Sequence, residues 1–291
     1  MLSTEARKGC WAVVSAYVLW GVFPFYFKAL KDVPAFEVLA HRILWSALFM
    51  IGVAVVSGKG RALLDIFRDR RRLAGLTASA IAISANWVCF IWAVGNGHAL
   101  DASVGYFIFP LFAVLIGAVV FKERQGPRQI GAIALVCLGV GVLASGTESL
   151  PWLVLSFPLT FGLYSLLRKI VPVEAMVGLA VETAMVAPLA LAYLAVRPEG
   201  GAILLADGLT RSLLIAAGPV TAIPLVLFAF GARRLPLSTV GLLQYLSPTI
   251  QMAIAVLAFG ESFTPAHGVT FALIWSGLAL YSLPRRRARA G

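Results

Sequence analysis

The sequence predicts an all-α integral membrane protein of ten transmembrane helices, arranged as two inverted five-helix repeats. Three observations predict it. The chain of 291 residues is 60% hydrophobic and only 13% charged, with a mean hydropathy of +0.91, whereas soluble domains are nearer half apolar and a quarter charged. Its apolar residues gather into ten runs, each near the roughly 17–25 residues that a bilayer crossing requires. Two of those runs end in the same motif, at an offset of 138.

In order, the runs are about 9–30, 35–56, 73–95, 100–121, 130–146, 151–167, 175–196, 210–232, 236–259 and 267–283, with short connections and no room for a large soluble domain. Backbone polar groups in lipid must be satisfied within the segment, so each run reads as a helix. The alternation that a strand barrel needs is missing. The first run is too long for a signal peptide and lacks a small-residue cleavage site, so it is expected to remain. Cys10, Cys89 and Cys137 fall in or at the ends of apolar runs and read as small hydrophobes. Their spacing suggests neither a metal site nor a disulfide framework, and no cofactor is expected.

Basic residues set the orientation. With the N-terminus inside, Arg7 and Lys8, the Lys59–Arg72 run, Lys122–Arg128, Arg168–Lys169, Arg233–Arg234 and the Arg285–Arg289 tail all face the cytoplasm. Lys28, Lys31, Arg197 and Arg211 face out. This asymmetry predicts both termini in the cytoplasm. The net charge of +11 thus reads as a topology signal, and no nucleic-acid partner is expected.

"FKERQGP" (121–127) matches "FGESFTP" (259–265) as Phe-x-Glu-x-x-x-Pro, and Pro110 and Pro248 each precede the motif's glutamate by thirteen residues. "ASVG" (102–105) resembles "STVG" (238–241). "WGVFPFYFK" (20–28) aligns with "FGLYSLLRK" (161–169) at an offset of 141, which lays His41 on Glu182. Ordered matches at a nearly constant offset indicate two homologous halves. Five helices is odd, so the second half enters the membrane inverted, as in many secondary transporters with a site near the midplane. No phosphate-binding loop is present, so ATP is not the expected driver. No Ser/His/Asp or paired-carboxylate arrangement stands inside the runs, so an enzyme is not expected.

"AYVLWGVFPFYFK" (16–28), "HRILWS" (41–46), "NWVCFIWAVGNGHALDASVGYFIFPL" (86–111) and "LSTVGLLQYLSPT" (237–249), followed by "FGE" (259–261), resemble the RarD-type branch of the drug/metabolite transporter superfamily. The resemblance spans nearly the whole chain. It implies a bacterial inner-membrane exporter of two EamA-type repeats, residues 1–146 and 147–291. The superfamily includes exporters of amino acids, aromatic ones among them; the chloramphenicol-sensitivity name of the branch says little about natural cargo. The function expected is export of small metabolites by alternating access, with amino acids of broad range as first choice. The rivals are a multidrug exporter and a receptor or scaffold that moves no solute.

His41 and Arg42 open the question of cargo. A charge at the bilayer centre costs roughly 2.5–3.5 kcal/mol, and these two lie about 10 Å from the start of their helix. Two readings stand for Arg42: its planar fork meets a substrate carboxylate in a cavity open to the periplasm, or it is a snorkel or a structural hub. His41 is a substrate contact or a satisfied structural histidine. Glu182 is a candidate for proton coupling or a structural counter-ion. Most aromatics in the runs read as core packing or interfacial belts. Trp20, Asn86, Trp87, Tyr106, Tyr164, Gln244 and Tyr245 are the expected cavity residues, with Asn86–Trp87, Tyr164–Ser165 and Gln244–Tyr245 singled out as aromatics near midspan beside polar groups. Gln244, Pro248 and Gln251 share one helical face. Pro24, Pro110 and Pro248 are expected hinges, each freeing a backbone carbonyl. Glu123 and Glu261 are expected to shape turns and cap the next helix.

Overall fold

In the computed structural model the described residues are 4–120, 122, 126–146, 151–197, 201–205, 207–232, 234–235, 239–240 and 243–282, and no strand occurs among them. The helices in order are α1 (Thr4–Gly21), α2 (Phe23–Lys28), α3 (Ala35–Val56), α4 (Gly60–Arg68), α5 (Arg70–Gly95), α6 (Ala99–Val120), α7 (Pro127–Gly146), α8 (Pro151–Ile170), α9 (Ala175–Ala195), α10 (Ala202–Leu205), α11 (Gly208–Ala232), α12 (Leu246–Ala253) and α13 (Pro265–Ser282). A π-helical turn, Ile254–Ala258, extends α12. Among the described residues, seven stretches are long and apolar enough to cross a membrane, with shorter apolar helices at Ala99–Phe112 and Leu246–Ala258. Glu123, Arg124, Arg233, the arginine tail and the start of the ninth run lie outside the described residues.

The expected runs meet helices closely, with three differences. The first run is two helices, α1 and α2, broken at Val22. Pro24, in the first turn of α2, has no N–H to give to Trp20 O. Gln251 Nε2 takes that carbonyl instead, at 3.1 Å, as polar groups of neighbouring helices do in membranes. Pro248 likewise sits in the first turn of α12, behind a turn at Gln244–Tyr245. Pro110 lies inside α6, whose helix continues past it. The third difference is α4, in a stretch read as a basic loop: Leu63 and Ile66, one turn apart, are buried and bind it to the bundle. Asp69 then caps α5, accepting from Arg71 N and Arg72 N at 3.0 and 3.1 Å, the role short polar side chains fill at helix starts.

α3 packs against both α9 and α11, α5 against α8 and α9, α6 against α8 and α12, and α1 against α11 and α12. α7 and α13 pack chiefly on one another. The apolar interior runs through Phe27, Phe107, Phe157, Leu153 and Phe271. Polarity is inverted relative to a water-soluble fold. Glu37, His41, Arg42, Ser79, Asn86 and Glu182 are buried, while Trp11, Leu48, Val56, Leu189 and Leu257 are exposed. Lipid accepts such a surface, and polar groups at membrane depth turn to the bundle interior.

The two ends of the bundle are distinct. At one, which we call the Glu37 end, the buried carboxylate of Glu37 accepts from Ala202 N and, at 3.3 Å, from Arg197 Nε. There too, Glu261 accepts from Ala99 N and Leu100 N at 3.0 and 2.8 Å. Its cap therefore falls on α6, a helix distant in sequence, and not on α13, the next helix. Burial holds its carboxyl above the ordinary carboxylate range, against the pull of those two N–H groups. At the other, the Glu174 end, Lys59 pairs with Glu174.

Candidate functional site: a guanidinium among aromatic faces

Arg42 stands eighth in α3 and is 4% exposed. Its Nε donates to Thr221 Oγ1 of α11 at 3.0 Å. The guanidinium carbon lies 4.1 Å from the Trp87 ring centre, 5.3 Å from that of Phe27 and 5.8 Å from that of Phe23. A desolvated cation over an indole gains about 2 kcal/mol. Among the described residues no carboxylate lies within ion-pair distance of it, and its terminal nitrogens make no hydrogen bond. Four of its five N–H donors are thus uncommitted. Beside the expected cavity, the structure sets three aromatic rings around Arg42.

α5 and α6 build the wall beside it. Tyr106 Oη donates to Asn86 Oδ1 at 2.8 Å, and Asn86 Nδ2 donates to Thr160 Oγ1 at 3.0 Å and to Phe157 O at 3.4 Å. Asn86 therefore spends its amide within the protein. Tyr106 packs on Phe157, their ring centres 5.0 Å apart, and through Phe161 the aromatic series reaches Tyr164. So Arg42, Asn86, Trp87, Tyr106 and Tyr164 line one continuous region of α3, α5, α6 and α8.

The other expected residues form a second group. Trp20 packs on Tyr17 and Phe228, with ring centres 5.6 and 5.7 Å away. Tyr245 stacks on Phe107 at 6.1 Å. Gln251 and Pro248 are buried, whereas Gln244 is half-buried beside the turn. Ser103 Oγ donates to Pro248 O at 2.9 Å, tying α6 to α12. Gln251 Oε1 has no hydrogen-bond partner among the described residues. His41, about 100° from Arg42 around the helix, is buried with Nε2 likewise unpartnered.

Glu182 is elsewhere, toward the Glu174 end. Its Oε1 accepts from Ser79 Oγ at 2.5 Å and lies 3.6 Å from Arg168 Nη1. Sequence reasoning missed Thr221, Phe23, Phe27, Thr160 and Arg168 as partners. Phe23 and Phe27 carried a signal, since their spacing of four puts them on one face. Thr221, a lone hydroxyl in "GPVTAIP", carried a weaker one. A groove of about 540 Å³ between α3 and α11, lined by Trp45, Leu48, Phe49, Ile215 and Pro219 among others, is apolar and opens on the lipid-facing surface. It lacks the guanidinium and is the poorer candidate. Among the described residues no three metal-ligating side chains gather.

Apolar spanning helices around an internal cation and hydrogen-bonded aromatics define a multi-pass membrane protein. The EamA-like transporter family model matches residues 7–145. An uncharacterized transporter of Pseudomonas aeruginosa is 42% identical over 99% of this chain and 97% of its own. Protein RarD of Escherichia coli is 38% identical over 97% and 96%, and the chloramphenicol-sensitive protein RarD of Pseudomonas aeruginosa is 32% identical over 98% of each. A solved crystal structure, 20% identical, superposes with a TM-score of 0.64 over 99% of both chains, a likeness of fold alone. The chain belongs to the RarD-type, EamA-containing transporters of the drug/metabolite transporter superfamily, and is a multi-pass protein of the bacterial inner membrane.

Proposed function

We propose that this protein exports small metabolites, amino acids including aromatic ones first among them, by alternating access between inverted halves 1–146 and 147–291. In this reading ten helices cross the membrane, both termini are cytoplasmic and the Glu37 end is periplasmic. One observation carries it: the uncommitted guanidinium of Arg42 held between aromatic faces. A carboxylate takes two parallel N–H bonds from such a fork, while Trp87, Phe27 or Tyr106 receives an apolar side chain. The pairing of helices supports the inverted halves: α5 packs on α8 as α11 packs on α1, and α3 on α9 and α7 on α13 each join one half to the other. With Glu182 bound to Ser79 and Arg168, facilitated export needs no proton site there.

The rival cargo is a drug-like amphipathic solute. The largely apolar walls favour it, and one relative carries chloramphenicol sensitivity in its name. Flux of labelled amino acids and of chloramphenicol in proteoliposomes separates the two. Arg42→Ala should lower amino-acid flux about tenfold or more, the worth of a charge-assisted hydrogen bond. Arg42→Lys should restore only part, because the fork is lost. Undiminished flux in Arg42→Ala at matched expression refutes the carboxylate reading.

A further inference from the structure

We infer that Arg168, Glu182 and Ser79 form the gate that closes the cargo path at the Glu174 end. This rests on the alternating-access reading and adds the element that shuts one side. Three helices converge there: Ser79 on α5, Arg168 near the end of α8 and Glu182 on α9. Glu182 stands eighth in α9, as Arg42 stands eighth in α3. Lys59 after α3 pairs with Glu174 before α9, and Glu37 at the start of α3 pairs with Arg197 after α9. The two helices therefore run antiparallel, and the carboxylate and the uncommitted guanidinium lie toward opposite ends of one interior.

The seal is tight in its packing and loose in its polar bonds. A Cβ on Gly178 would stand 1.8 Å from Arg168 Nη1, and one on Gly75 would stand 2.4 Å from Val171 Cγ2. An added Cβ on α9 would push the flexible end of Arg168 aside, and one on α5 would collide with the branched Val171 at the end of α8. Yet the ion pair stops at 3.6 Å, and among the described residues Glu182 Oε2 and Arg168 Nη1 have no hydrogen-bond partner. A pair serving only stability would satisfy these groups, because buried polar atoms left unpaired are costly. One that must part repeatedly gains from an incomplete clasp. Glu182 also occupies Arg168 as a passing carboxylate would, so anionic cargo that displaces it would open the gate.

Cys89 supplies the test. It lies on α5, three residues past Asn86 and ten past Ser79, on the far side of the gate from the Glu174 end. In a Cys10→Ser, Cys137→Ser background, a membrane-impermeant maleimide is applied to vesicles exposing the Glu174 end. Glu182→Gln, which keeps shape and removes charge, should raise Cys89 labelling about tenfold by shifting the gate toward open. Arg168→Gln should do the same, and the charge-swapped pair Arg168→Glu with Glu182→Arg should restore protection. Equal labelling in Glu182→Gln and its parent overturns the gate. So does labelling that rises only in step with loss of the monodisperse, thermally cooperative protein. The labelling needs no cargo, so it reads the gate apart from flux: labelling that stays equal while the parent moves solute overturns the gate and leaves export standing, whereas a parent that moves no solute refutes export and the gate with it.

Discussion

At Arg42 a guanidinium rests between an indole face 4.1 Å away and a threonine hydroxyl 3.0 Å away, in a span with no compensating acid within ion-pair reach among the described residues. The two contacts orient it; neither neutralises it. Thr221→Val should therefore free the Nε and lower stability by about 0.6–1.7 kcal/mol, the usual worth of an interhelical hydrogen bond in membranes. It should weaken cargo binding less than Arg42→Ala does, since the outer fork remains. Melting of the purified variant beside its flux checks this; a Thr221→Val protein that melts normally yet loses all transport would show the hydroxyl touching cargo. Arg42 was legible in the sequence because a charge in an apolar run stands out. Its partners were not, because Thr221 lies 179 residues away and no local spacing links the two.

Among the elements, α6 depends on a residue from the other end of the chain. The Glu261 carboxylate closes on the first N–H groups of α6 at 3.0 and 2.8 Å, where the helix's positive end favours an anion. Glu261→Ala should cost about 1–2 kcal/mol, the worth of a helix cap. Lower thermal stability with Arg42-dependent flux retained is the expected outcome, and an unchanged melting temperature would leave the cap without energetic weight. The spanning helices were legible because lipid enforces long apolar runs. The break at Val22 was half legible, since Pro24 announced it. The capping of α6, 162 residues away in sequence, was not, because the shared motif around Glu261 pointed only to its neighbours. α4 was hidden by its arginines, which outweigh Leu63 and Ile66 in any local average.

For the whole molecule, the charge asymmetry and the odd number of helices in each proposed half make one joint prediction. A C-terminal reporter should be active only in the cytoplasm, and one inserted at Gly97, between α5 and α6, only in the periplasm. Opposite activities would invert the bundle, and matching ones would remove the odd crossing between those two points. The same topology gives α4 its setting. Its Leu64 and Phe67 face outward while Leu63 and Ile66 hold the bundle, and Arg61, Arg70 and Arg71 surround it. A short helix so divided has the make-up of one that rests at a membrane interface. Each basic side chain near an anionic leaflet gains about 1 kcal/mol. α4 runs into the helix that carries Ser79 with only Asp69 between them, so the anchorage of one amphipathic turn fixes where α5 begins.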